Sequence, residues 1–137
     1  MAAKILMVFS ASIILTLGVI HLVYTFWGPK LTPREPALQV SMSQTSPVIT
    51  RETTMWRCWV GFNVSHSMGL ILFGLVFGFL AVAHSQLLFQ STFLLVVGLA
   101  MLAGLVALCR IYFFSVPFAA VSVSMACYIA GMAVSRA

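Results

Sequence analysis

Four long apolar runs, with two short polar breaks and one long one between them, dominate the chain. The first, Ile5 to Trp27, carries no charge and is long enough to cross about 30 Å of hydrocarbon at about 1.5 Å per residue. It is too long for the apolar part of a signal peptide, lacks a small-x-small cleavage site, and ends in Tyr24, Phe26 and Trp27, an interfacial aromatic belt. Gly28 and Pro29 stop the helix.

The second run spans Met55 to Ala83, with Thr53 or Thr54 placed to cap it. It exceeds what a bilayer requires, so it must tilt or protrude. His84, Ser85 and Gln86 read as a short turn into a third span, 87–109, which Arg110 closes. Tyr112, Phe113 and Phe114 read as an interfacial turn, and Ser115 as the cap of a fourth span, 116–135. Pro117 then falls in its first turn, where a missing N–H costs nothing. The predicted fold is all-α: an integral membrane four-helix up-down-up-down bundle, a single transmembrane domain over residues 1–137.

The 28–53 segment is the one long polar loop. It holds Pro29, Pro33, Pro36 and Pro47 and both acidic residues, Glu35 and Glu52. Its length points to a lid over a site or a short interfacial helix near Glu35–Gln44.

Composition agrees with the pattern. The chain is 62% hydrophobic and 7% charged, against about 25% charged in soluble domains. The net charge of +5 does not mark a nucleic-acid binder. Lys4, Lys30, Arg34, Arg51, Arg57, Arg110 and Arg136 sit at the ends of apolar runs, where they meet lipid headgroups, and form no basic stripe. Cys58, Cys109 and Cys127 show neither metal-ligand spacing nor an even count and read as packing residues. Two orientation rules conflict. Five bases on the loop side against two on the terminal side put the loop in the cytoplasm, whereas Lys4 ahead of the first span favours a cytoplasmic N-terminus. The charge count is followed, with a bacterial cytoplasmic membrane as the expected location.

Polar groups inside spans are the informative residues, because each costs free energy unless partnered. His21 and Thr25 share a face of the first helix with Gly18. Asn63, His66 and Ser67 share a face of the second. The two helices leave the long loop in opposite directions, which puts His21 and His66 at similar depth, about 9–10 Å below the loop end. Arg57 and Arg110 would stand at the mouth of such a site.

Three readings stand side by side. The histidines and Asn63 tie helices together in a structural subunit; or the His/Asn/Ser site binds a lipophilic small molecule or lipid head group; or His21 and His66 are the axial ligands of haem b. The ligand site is carried forward, with no metal site and no catalytic residue assigned. No acid lies inside a span, which disfavours a carboxylate proton relay, and no triad geometry supports hydrolysis. The expected partners are membrane lipids. Gly61/Ser65/Gly69 and Gly74/Gly78 repeat every four residues, a spacing that suits helix packing, self-association or docking to a partner subunit.

Gly18-x-x-His21-Leu22 with Thr25-Phe26, followed by Thr54-x-Trp56 and Gly61-Phe62-Asn63-x-Ser65-His66-x-x-Gly69, resembles a Leptospira-type family of short bacterial four-helix integral membrane proteins of unknown function. The resemblance covers the first two spans and their loop. It implies the architecture and an interest in His66, and brings no activity with it.

Overall fold

The computed structural model describes residues 1–136. Among them are six helices and no strand: α1 (Ala2–Phe26), α2 (Pro36–Gln44), α3 (Met55–Ala83), α4 (Ser85–Gln90), α5 (Thr92–Tyr112) and α6 (Ser115–Arg136). Four of them, α1, α3, α5 and α6, are long and apolar enough to cross a membrane.

The expected second span coincides with α3, and the short loop helix is α2, with Pro36 in its first turn. Three local expectations need correction. The 84–86 turn is the start of α4, and the chain breaks again at Ser91, whose hydroxyl accepts from Leu94 N–H and caps α5. Tyr112 completes α5 rather than lying in the turn. Ser115 is the first residue of α6 and not its cap. Leu87, Leu88 and Phe89 read as the start of the third span, but they belong to α4, and the polar Gln90-Ser91-Thr92 marks the true break. Thr54 does cap α3, accepting from Arg57 N–H at 3.4 Å.

The chain divides into two compact units: residues 1–17 with the chain from residue 70 onward, and Gly18–Gly69. The first is a four-helix bundle. Its buried positions recur every three or four residues: Met7, Ser10 and Ile14 on α1; Leu70, Phe73, Phe77 and Ala81 on α3; Leu95, Gly98, Leu102 and Leu105 on α5; Val121, Ser124, Tyr128 and Gly131 on α6. That spacing makes a narrow seam of the kind that packs helices at shallow crossing angles. Glycines set how closely the backbones approach. A Cβ on Gly74 would lie 2.6 Å from Leu15 Cβ and 2.9 Å from the Ala11 carbonyl oxygen. A Cβ on Gly98 would collide with the Tyr128 hydroxyl and approach Phe77 to 2.7 Å. Ser10 and Ser124 exchange a hydroxyl hydrogen bond of 2.9 Å, and the Tyr128 hydroxyl donates to the Leu95 carbonyl at 3.2 Å. The pairs Ser10–Ser124 and Ala3–Gly131 run α1 antiparallel to α6, and Gly74 and Gly78 against Leu15 and Ala11 run it antiparallel to α3.

The outer faces remain apolar. Ile5, Leu72, Phe93 and Val96 are all more than half exposed. In water such a surface would aggregate; in lipid it is the solvated face.

Candidate functional site

The second unit carries the polar cluster. It consists of the last turns of α1, the loop with α2, and the first four turns of α3. Gly28, at φ +85°, turns the chain out of α1 in a conformation other residues rarely adopt. The indole Nε1–H of Trp59 donates to the Leu31 carbonyl at 3.0 Å and holds the loop against α3. Met55 N–H donates to the Thr45 carbonyl at 2.8 Å and closes the base of the 45–55 segment.

Inside this frame Asn63 is the organising residue, 7% exposed. Its carboxamide Nδ2 donates to the Trp59 carbonyl one turn back, at 2.8 Å, which leaves Oδ1 as an acceptor facing α1. His21 Nε2 lies 2.9 Å from that oxygen. A carbonyl oxygen accepts only, so the proton of this bond sits on His21 Nε2, and in the neutral ring the lone pair sits on Nδ1. The His66 ring meets His21 edge to face, with centroids 5.2 Å apart and an interplanar angle of 75°. Both rings are half-buried.

His21, Asn63 and His66 therefore come together. Thr25 and Ser67 stand beside them in supporting roles. The Thr25 hydroxyl donates to the His21 carbonyl at 2.8 Å, and the fully buried Ser67 hydroxyl donates to the Asn63 carbonyl at 2.9 Å. Each spends its proton on its own helix, beside the backbone of a cluster residue.

Arg57 is exposed in the first turn of α3, nine residues or about 13 Å along the helix axis before His66. Arg110 is an exposed residue in the last turn of α5 and belongs to the other unit. Trp59 is the residue that sequence reading missed. Its position four residues before a buried Asn was the available signal, because that spacing puts its carbonyl within reach of the Asn side chain.

Helix lengths set the depth. His21 is five residues from the end of α1, about 8 Å, while His66 is eleven residues from the start of α3, about 16 Å. Since the rings touch, the first turns of α3 extend about 9 Å past the end of α1, which is where Trp59 meets the loop.

These residues do not fit a haem. Axial imidazoles face each other across the macrocycle with their centroids about 6 Å apart, taking metal–nitrogen bonds of about 2 Å. Here the rings touch edge to face with no slab between them, and Nε2 of His21 is engaged by Asn63. Among the described residues no three His, Cys, Asp or Glu side chains group to hold a metal ion.

The small-residue faces separate. Gly74 and Gly78 pack against α1 within the first unit, whereas a Cβ on Gly61 or Gly69 would meet nothing within 4 Å. His84, expected in a turn, is exposed, and its ring meets Phe79 edge to face with centroids 5.2 Å apart.

Fold and composition define the class: an all-α integral membrane protein, with four helices among the described residues long and apolar enough to span the bilayer. No protein-family model, curated protein or solved structure matches the chain.

Proposed function

We propose that the His21–Asn63–His66 cluster holds the polar head of a lipophilic molecule that reaches it laterally from the membrane. One observation carries this reading: the two imidazoles lie side by side and half-exposed, while the groups that brace them, Asn63 and Ser67, are buried. A network serving only to tie helices has no need to leave two imidazoles partly exposed within apolar spans, where polar groups are costly. Asn63 fixes the tautomer of His21, so the ring meets a ligand with an acceptor nitrogen in a set direction. The alternative, a structural subunit, is favoured by a different fact: no buried side-chain polar atom among the described residues lacks a hydrogen-bond partner.

The loop side belongs in the cytoplasm of a bacterial cell by the charge asymmetry, with Lys30, Arg34, Arg51, Arg57 and Arg110 on that side. The open Gly61–Ser65–Gly69 face is available to a second copy or a partner subunit.

The test is lipid extraction and mass spectrometry of protein purified in mild detergent, comparing wild type with His66→Gln. Under the ligand reading one lipophilic species is enriched with wild type and lost with the variant, while the thermal unfolding midpoint is unchanged. A wild type with no enriched species, together with a variant of lowered stability, assigns the cluster to structure alone.

A further inference from the structure

A second feature lies within the first unit, at the chain-terminal ends of α1 and α6. Two open clefts meet there and share Met1 and Lys4. One, of about 370 Å³, is lined by Ser85, Gln86, Gln90 and Ser135 among others. The other, of about 440 Å³, is walled by Ile5, Val8, Phe9, Ala81 and Val82.

The two differ in character: the first mixes polar groups with the apolar walls of Ala3, Phe89 and Val134, and the second is almost wholly apolar. In the first, Lys4 brings a positive charge. Gln86 and Gln90 lie one turn apart on α4, so their carboxamides project from one face and offer N–H donors. Ser85 adds a hydroxyl. Ser135 donates its own proton to the Met132 carbonyl at 2.7 Å. The chain's two acids, Glu35 and Glu52, both belong to the other unit. Among the described residues this cleft therefore holds one cationic side chain, two carboxamides and two hydroxyls, and no acid side chain. The second cleft is an apolar trough running from Lys4 down α1 to Ser12, eight residues or about 12 Å. Ser12 donates to the Val8 carbonyl, so even its hydroxyl is satisfied. The trough walls at Ile5, Phe9 and Val82 are more than half exposed and open sideways.

A charged, donor-lined cleft joined at a lysine to an apolar trough has the shape and polarity of one amphiphile. We propose that these clefts bind an anionic glycerophospholipid, its phosphate at Lys4, Gln86 and Gln90 and an acyl chain in the trough beside Phe9 and Val82. Lys4 lines both halves, and a lysine can lay its apolar stem along such a trough while its ammonium group reaches the head. This lipid site is separate from the imidazole cluster and shares no residue with it.

Native mass spectrometry of the purified full chain tests this, with phosphatidylglycerol and phosphatidylcholine of matched acyl chains as probes. Wild type should retain phosphatidylglycerol about fivefold better, the effect of one basic side chain near a lipid surface. Lys4→Gln should bring the two lipids to parity, and Lys30→Gln, at the loop, should leave the preference intact. Val82→Trp, which fills the trough at an exposed position, should lower retention of both lipids. The proposal is overturned if wild type shows no preference, if the preference survives Lys4→Gln, if Lys30→Gln removes it equally, or if Val82→Trp changes nothing.

Discussion

Substituting Asn63 with Leu removes a carboxamide while keeping the same branched skeleton of heavy atoms, so no cavity confuses the outcome. Three changes follow. The bond from His21 Nε2 is lost, worth between about 0.6 and 1.7 kcal/mol for an interhelical hydrogen bond in a membrane. The His21 N–H loses its partner, but its ring is half-exposed and relieves part of the cost by turning. The Trp59 carbonyl loses a side-chain donor and keeps its place in the helix. The net expectation is a loss of about 1 kcal/mol. His21→Leu should cost more, about 2 kcal/mol, because it strands Asn63 Oδ1, an acceptor on a residue only 7% exposed. The double variant removes both partners, so it should be more stable than the sum of the single losses by about 1 kcal/mol. Unfolding in mixed micelles with rising dodecyl sulfate fraction, followed by far-ultraviolet circular dichroism, measures all four forms. Additivity within about 0.3 kcal/mol, or Asn63→Leu costing more than His21→Leu, would refute the assignment of the proton and of the tie.

Gly98→Ala places a methyl group against the Tyr128 hydroxyl and Phe77, and should lower stability in the same assay by about 1–3 kcal/mol. Gly61→Ala, where a Cβ meets nothing, should change it by less than about 0.5 kcal/mol. Tyr128→Phe keeps the ring and loses the bond to Leu95, and should cost about 1 kcal/mol by mixed-micelle unfolding. Trp59→Phe should free the loop from α3 and speed protease cleavage after Arg34 or Arg51, with little change in global stability.

The helices were legible because lipid imposes length and polarity on each span, and α3 needed only its apolar run and Thr54. The break at Ser91 is harder to read, because Gln90, Ser91 and Thr92 interrupt the apolar run for only three residues, which a membrane helix can carry; the serine cap is what makes them a new start. Among the candidate site residues, the joint position of His21, Asn63 and His66 could be read from helical spacing and from two helices leaving one loop. Which way each hydroxyl turns could not. Thr25 and Ser67 lie at the right spacing, yet both donate to a carbonyl of their own helix, a choice between two nearly equal acceptors. Small-residue spacing was equally ambiguous. Gly61 and Gly74 both belong to four-residue repeats, and only the neighbouring helix decides that Gly74 packs and Gly61 does not.

The two units are held by different forces, and this difference predicts how the protein opens. Every buried apolar side chain among the described residues belongs to the first unit. In the second, the buried residues are Gly18, Asn63 and Ser67. The first unit adds the Ser10–Ser124 and Tyr128–Leu95 bonds to a close-packed seam, whereas the second relies on the bonds of His21, Trp59 and Met55. Helix association in lipid depends on close packing, and a hydrogen bond there contributes about 0.6 kcal/mol on average. A segment tied by a few such bonds should open locally at lower cost than one locked by interdigitated side chains. Amide hydrogen exchange in nanodiscs should therefore be at least about tenfold faster over residues 45–62 than over 73–81 and 95–105, a gap of about 1.4 kcal/mol. Asn63→Leu should widen that gap while leaving exchange over 95–105 unchanged. Equal protection in all three segments would mean that the polar ties hold as firmly as the apolar seam.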